Sequence, residues 1–218
     1  MSKLRTLIKE TQSTLKTLGF DPKGIDGIWG NNSEKAFQAL LEDAKKTNKI
    51  TWGQRISVDD IKALDKLIKE MGIRAHVNDF MACMAFESGG TFDPKTRNTT
   101  TGAQGPIQIM PVNAIAYGTT TDALSKMSFQ QYLKYVGMHF KPYAKKIRDL
   151  GDTYLSILWP RGVGQPESYP LWTIGSKAYM QNDGLDLNKD GAVTKGDALH
   201  YIKNRMVLGF MPDKVRII

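Results

Sequence analysis

The sequence predicts a mainly α-helical chain, and three observations carry that prediction. Apolar residues recur every three or four positions in most segments, the spacing of one helix face. Strand signals are weak throughout and leave room for at most a small hairpin. Breaks rich in glycine and proline divide the 218 residues into a short helix–turn–helix at the start and a longer helical remainder.

Taken in order, Leu4, Leu7, Ile8, Thr11, Leu15 and Leu18 trace one face of a first helix that Gly19 ends. The passage Phe20 to Gly30 holds too many glycines to be helical. Asn31 followed by Glu34 predicts a capping box, and Ala36, Phe37, Leu40, Leu41 and Ala44 mark a second helix. Lys45 to Lys49 is a basic, polar break, read as a linker over 47–56. Ser57 with Asp60 caps a helix carrying Ile61, Leu64, Leu67, Ile68 and Met71, and Gly72 closes it. Val77, Phe80, Met81, Met84 and Ala85 form the next apolar face, with Cys83 as a core residue and His76 as a surface or capping residue. Asn113 to Tyr117 begins a short helix. Ser128 with Gln131 caps a long one running through Leu150 and bent by Pro142. Asp152 opens another that ends at Trp159, residues 161–171 form a loop, and Ala198 to Leu208 close the chain as a helix. A small hairpin fits between Thr96 and Gln108.

Composition narrows the function. Hydrophobic residues make up 41%, ordinary for a globular protein, and no apolar run approaches a membrane span. The first twenty residues are charged throughout and lack the apolar core of a secretory signal. A single cysteine excludes an internal disulfide framework. The net charge of +8 draws a protein to polyanions, nucleic acid or anionic envelope polymers among them. No helix-turn-helix, zinc-knuckle spacing or aromatic RNA-binding motif accompanies the charge, so nucleic acid is not expected. His76, His139 and His200 are scattered without zinc spacing. Nucleophile elbows and phosphate-binding loops are missing from the sequence.

The stretch Phe80 to Pro111 carries the chemistry. Glu87 borders an apolar face at the end of a helical run, where desolvation favours the neutral carboxyl. The negative end of the helix pushes the same way. A carboxylic acid protonated near neutral pH is what general-acid cleavage of a glycosidic bond requires. The span Ala85-Phe86-Glu87-Ser88-Gly89-Gly90, then Gly102-Ala103-Gln104-Gly105 and Gln108-Ile109-Met110-Pro111, resembles the catalytic region of lytic transglycosylases, which have a lysozyme-like fold. Pro106-Ile107 stands where that family favours Leu-Met, a change expected to alter a pocket wall. The resemblance implies that Glu87 is the acid–base and that Gln108 and Met110 line the sugar site. It places Thr99 where the family often has a serine near the acid. Ala178-Tyr179-Met180-Gln181-Asn182 is the nearest text to a late Ala-Tyr-Asn motif, which makes Tyr179 the candidate for orienting Glu87. Asp93 and Asp122 are the nearest candidates for a second carboxylate, and neither sits in a recognised motif.

At the N-terminus, Leu18-Gly19-Phe20, Gly24-Ile25-Asp26-Gly27-Ile28-Trp29-Gly30 and Ala36-Phe37-Gln38 resemble the peptidoglycan-binding domain found on many cell-wall enzymes. Two roles stand open for these residues. The Asp26-Gly27 turn and Trp29 either flank a groove for wall peptide or sugar, or serve only to cap the turn and plug a small core.

A third pattern lies near the C-terminus. Residues 186–197 fit the EF-hand loop, with oxygen ligands at positions 1, 3, 5, 7, 9 and 12 and glycine at 6. Asp186, Asn188, Asp190, the carbonyl of Ala192, Thr194 and Asp197 fall on those positions. Asp197 replaces the usual bidentate glutamate, which shortens the reach and leaves room for Mg2+ as well as Ca2+. The alternative is a polar turn whose aspartates cap the following helix.

Together these readings describe a small three-helix peptidoglycan-binding module (1–46), a linker (47–56) and an α-rich lysozyme-like lytic transglycosylase domain (57–218). The assembly resembles a bacteriophage endolysin, a monomer made in the host cytoplasm and acting on bacterial peptidoglycan after release. A structural Ca2+ or Mg2+ is expected, and no cofactor for the chemistry. The rivals are a muramidase on the same fold and a non-catalytic wall-binding virion protein.

Overall fold

A computed structural model describes residues 3–186 and 188–218. Met1 and Ser2, at the start of the expected first module, and Leu187, inside the 186–197 loop, lie outside the described residues. The chain is mainly helical, as its periodicity predicts, with ten α-helices and two small antiparallel two-stranded sheets among the described residues.

Helix α1 (Lys3–Thr17) buries Ile8, Thr11, Gln12 and Leu15, close to the face its spacing predicts. Gly19 follows in the left-handed region, where glycine carries no Cβ penalty. Helix α2 (Asn31–Lys46) starts differently from expectation. Its N-cap is Gly30, which makes no side-chain cap bond. Glu34 instead accepts from Trp29 Nε1 at 2.7 Å and from Lys203 Nζ at 2.9 Å, so tertiary partners outcompete the local box.

The stretch expected as a linker is packed into the body. Ile50, Thr51 and Trp52 are buried. Strand β1 (Lys49–Ile50) pairs antiparallel with β4 (Arg216–Ile217). Trp52 N donates to Gly209 O, and its indole Nε1 donates to Arg205 O at 2.8 Å. The sequence between 47 and 56 is polar at its start but carries Ile50, Trp52 and Ile56, and that apolar area is what fixes it under the C-terminus.

Helix α3 (Val58–Glu70) begins at Ser57, whose side chain accepts from Asp60 N as its pattern predicts. Helix α4 (Val77–Glu87) is the centre of the molecule and is buried from Val77 to Ala85. Its N-cap is His76, in a reciprocal capping box with Asp79, and Cys83 is a buried free thiol. After the short α5 (Pro111–Ala116) and α6 (Thr121–Leu124), α7 (Phe129–Phe140) opens with the expected Ser128–Gln131 box. The long bent helix predicted through Leu150 ends early, because the segment Lys141–Lys146 with Pro142 tightens to 3-10 geometry. Helix α8 (Leu150–Leu158) is capped by Asp149, three residues before the expected start. The predicted loop over 161–171 runs into β2 (Pro170–Thr173), which pairs with β3 (Ala192–Thr194). Between them lies α9 (Lys177–Asn182).

Helix α10 (Lys195–Leu208) closes the fold. It packs against α1, α4 and α8 and is buried nearly all round, polar residues included. Asn204 Nδ2 donates to Thr11 Oγ1 at 3.0 Å, and Thr51 Oγ1 donates to Met206 O. One continuous core therefore joins Leu15, Phe37 and Leu40 of the first two helices to Ile61, Phe80, Tyr154 and Met206.

Two charged features are also drawn in. Asp152 and Lys195 form a buried ion pair at 2.9 Å. The basic C-terminal segment is docked on the body. Arg205 and Lys214 lie over the Trp52 ring, and Arg216 Nε donates to Gly53 O.

Candidate active site

Glu87 is the last residue of α4. Ser88 caps the helix, and Gly89 and Gly90 follow at φ +64° and +85°. That left-handed pair turns the chain sharply away from the helix axis. Ser88 Oγ donates to Met84 O at 2.6 Å and accepts from Phe92 N, so the turn is locked. A Cβ on Gly90 would come within 3.2 Å of the Trp52 ring, which ties the turn to the packed 50–52 segment.

The carboxyl of Glu87 is half-buried and makes no hydrogen bond or ion pair among the described residues. Burial pushes it up from 4.5 to about 7. The phenols of Tyr132 and Tyr154 and the Cys83 thiol all feel its charge, and burial raises each of them as well. Tyr154 stacks edge-on against Phe86 at 5.6 Å. Glu87 therefore stands among aromatic and sulfur-bearing neighbours, with no cation among the described residues to hold it ionised.

The loop following Glu87 is built like a miniature hairpin. Gln104 and Ile109 exchange both backbone hydrogen bonds, and Arg97 bridges to Gln104. The expected hairpin is therefore present as isolated bridges rather than strands. Gln104 is fully buried and donates from Nε2 to Pro94 O, while Tyr132 OH donates to its backbone carbonyl at 2.8 Å. Gly105 lies flat against Tyr132, and any Cβ there would run into the phenol ring. Two non-glycine residues of this loop, Phe92 and Gln108, hold left-handed backbone at φ +55° and +49°. Such strained positions cluster at functional sites. Gln108 is fixed by bonds from Nε2 to Thr96 O and Gly105 O.

The other sequence-derived residues distribute unevenly. Gln108 and Met110 lie on the loop that follows Glu87, and Met110 is 40% exposed. Thr99 is exposed at the loop tip. Tyr179 does not orient Glu87: its hydroxyl donates to Asp186 Oδ2 at 2.7 Å, which raises the phenol to about 12. The tyrosines beside Glu87 are Tyr132 and Tyr154. Their helical spacing marks them only as core, and no local motif distinguishes them from other buried aromatics. Asp93 is exposed and accepts from Lys95 N, and Asp122 pairs with Arg97 at 2.8 Å. Both are committed elsewhere.

At the N-terminal turn, Asp26 Oδ1 accepts from Gln12 Nε2 and Ile28 N. These hydrogen bonds, Gln12 foremost, hold its carboxyl below the usual range. Gly27 is pressed against Arg5. Trp29 is half-buried, edge-on to Phe37 at 6.0 Å and to His200 at 5.9 Å, with Lys203 Nζ over its ring. Asp26 thus braces the turn, and Trp29 wedges α2 against α10 instead of facing an open groove.

The 186–197 loop has helix α9 and a 3-10 turn before it and α10 after it. Gly191, at the sixth position, is left-handed at φ +87°. Asp186 accepts from Lys189 N, Gly191 N and Tyr179 OH. Asp190 accepts from Ala192 N and Asn188 Nδ2. Asp197 accepts from Thr194 N and its hydroxyl in a capping box. Among the described residues no group of three acidic, histidine or cysteine side chains converges as a metal cage. The donor set suits a hard cation, but its oxygens here serve the loop's own amides and the cap of α10.

A well-formed cavity lies away from Glu87. It measures about 460 Å³ and lies at the opposite end of α4, against His76, Asn78 and Asp79. An eleven-residue helix separates the two ends by roughly 15 Å.

Asp79, inside that far end, is buried and likewise pushed up from 3.8 to about 7, while its bond from His76 N pulls the other way. Asp79 and Glu87 share a consequence for stability. Both keep protons in the folded chain that the unfolded chain releases near pH 4, so stability falls as pH rises from about 4 through 7. The melting temperature should be lower at pH 8 than at pH 5.5, and Asp79→Asn, which keeps an acceptor for His76 N, should narrow the gap. An equal gap in both proteins, by calorimetry, would exclude Asp79 as a source.

A scan against protein-family models and a search of curated proteins each gave no match to this chain. No helix among the described residues is long and apolar enough to cross a membrane.

Proposed function

We propose that the chain cleaves the β-1,4 bond between N-acetylmuramic acid and N-acetylglucosamine in bacterial peptidoglycan, with Glu87 as the acid. The observation that carries this reading is the state of Glu87: a carboxyl without partners, held near pH 7 by burial, at the mouth of a strained loop. At neutral pH a substantial fraction is protonated and able to donate to the glycosidic oxygen. The resulting carboxylate then takes the proton from the sugar's 6-hydroxyl, which closes a 1,6-anhydro ring.

A hydrolase would ordinarily need a second carboxylate to activate water. The engagement of Asp93 and Asp122 with their own partners favours the internal hydroxyl as acceptor and so a lytic transglycosylase. Mass spectrometry of digested purified peptidoglycan tests this directly. Anhydro-muramyl products are expected, and reducing ends alone would assign a muramidase instead. On this reading the protein is an endolysin acting on the wall of its host after release, and its resemblance to wall-binding domains gives the first two helices a substrate-anchoring role.

We also propose that the 186–197 loop takes Ca2+ or Mg2+ in a structural role. Asp186, Asn188, Asp190, the Ala192 carbonyl, Thr194 and Asp197 would supply the oxygens, with Asp197 released from its cap. Calcium should raise the melting temperature and release or absorb heat on titration. Silence in both measurements would leave the loop as a capped turn.

A further inference from the structure

The cleft at the far end of α4 is a built feature that Glu87 chemistry does not use. Its floor is apolar, from Phe37, Leu41, Leu150 and Leu199. Its volume of about 460 Å³ lies within the usual range for sites that hold small ligands. The charges around that floor are not mixed evenly. Lys45 of α2, Arg74 before α4 and Arg148 before α8 bring positive charge from three separate elements. The N-terminal ends of α4 and α8 meet the same space through His76, Asn78, Asp149 and Gly151, each end already capped by a carboxyl of its own, Asp79 and Asp149. Elsewhere on the rim, Glu34 and Glu167 share a single cation, Lys203, at 2.9 and 3.4 Å.

Pairing within the cleft is incomplete in a telling way. Lys195 is used up by Asp152 and Gln165 O, and Lys203 by its two glutamates. Lys45 and Arg74 form no ion pair and no side-chain hydrogen bond among the described residues. Glu34 is filled by Trp29 Nε1, Gln38 Nε2 and Lys203 Nζ, whereas Glu167 meets only Lys203, at 3.4 Å, and keeps acceptor capacity to spare. The cleft therefore offers cations without partners, one under-satisfied carboxylate, Glu167, and an apolar floor between them.

We propose that this cleft is a second binding site, separate from Glu87, for a short peptide bearing both free carboxylates and a free ammonium group. The carboxylates meet Lys45 and Arg74 beside the two helix ends, the ammonium meets Glu167, and the aliphatic backbone lies over Phe37 and Leu199. Naming the occupant as the stem peptide of the wall rests on the glycan-cleaving reading above; the bipolar peptide chemistry does not. Because the cleft is walled by α2 on one side and by α8 and α10 on the other, an occupant would contact both the N-terminal helices and the catalytic body.

The test is isothermal titration of the full chain with the synthetic tripeptide L-Ala-γ-D-Glu-L-Lys. Binding is expected. It should weaken by about tenfold or more when the peptide carboxylates are amidated, and equally in Arg74→Glu or Lys45→Glu. Acetylating the peptide amines, or Glu167→Gln, should weaken it by a smaller factor. Both basic positions are exposed and without ion pairs, so a matching melting temperature confirms that the variants fold. Absent binding, an affinity indifferent to amidation and to Arg74→Glu, or displacement by inorganic phosphate alone would each overturn the site. Glu87→Gln should bind the tripeptide as the parent does. Loss of cleavage with no tripeptide binding would sink the cleft alone, and binding without any cleavage by the parent would sink the glycosidase reading alone.

Discussion

Glu87→Gln should lower wall-clearing activity by more than about a hundredfold, the scale expected for loss of a general acid, while the melting temperature at pH 5.5 stays close to that of the parent. The amide has the shape of the protonated acid and the same half-buried place at the end of α4, but no proton to give. Since no hydrogen bond or ion pair holds the carboxyl, the fold loses no partner in the exchange. The parent rate should also fall as pH rises through about 7, because burial raises the carboxyl to that value and ionisation removes the donor. Turbidity loss of purified wall suspensions, measured from pH 5 to 9, reports both effects. Clearing that survives in Glu87→Gln would remove Glu87 from the chemistry, and a rate that keeps rising above pH 8 would show that it does not act as the acid.

Lys195→Met should be the most destabilising single change outside the core hydrophobes. Asp152 has no exposed side-chain surface and Lys195 only 5%. Burial pushes the Asp152 carboxyl up, but Lys195, the Gly164 amide and Arg148 outweigh it and hold it below its usual value. Removing the ammonium leaves a buried carboxylate with only its weaker partners, a loss of about 3–5 kcal/mol. The double change Lys195→Met with Asp152→Leu should recover part of this, since it removes the stranded charge, though Gly164 N then loses its acceptor. Urea unfolding of the three proteins gives the comparison. The pH dependence has its own sign: a depressed carboxylate contributes stability above pH 4 and loses it as pH falls through its folded pKa. Acid lability below about pH 4 should therefore be smaller in the double variant, opposite in sign to the loss between about pH 4 and 7 produced by Glu87 and Asp79. A Lys195→Met protein that melts with the parent would show the pair to be energetically idle.

The fold class was legible because helical periodicity is a local property. Ile61, Leu64 and Ile68, or Phe129, Tyr132, Leu133 and Val136, recur at a spacing that only a helix buries on one side. Ser57 and Ser128 announce their helices through bonds to residues three positions on. The place of Glu87 at the end of α4 was legible too, since an apolar run, a terminal carboxyl and a glycine pair lie within one short stretch. The misread elements each depend on a partner that no local pattern singles out, near or distant in the chain. Glu34 forgoes its local cap for Trp29 and Lys203. Residues 47–56 read as a linker by their first five positions, yet Trp52 is held by Arg205 and Gly209. Tyr179 belongs to the acidic loop through Asp186.

What the sequence by itself determined is the set of helices, their caps and the placing of one carboxyl at the end of an apolar run. What only the tertiary structure decided is which groups surround that carboxyl, Tyr132 and Tyr154 from two other helices, and that the first two helices share a core with the last. The reason is physical. A helix is specified by hydrogen bonds spanning four residues and by the burial of one stripe, which neighbouring letters encode. The environment that raises Glu87 to about 7 is set by exclusion of water, and that depends on side chains from 45 to 67 positions away folding against it.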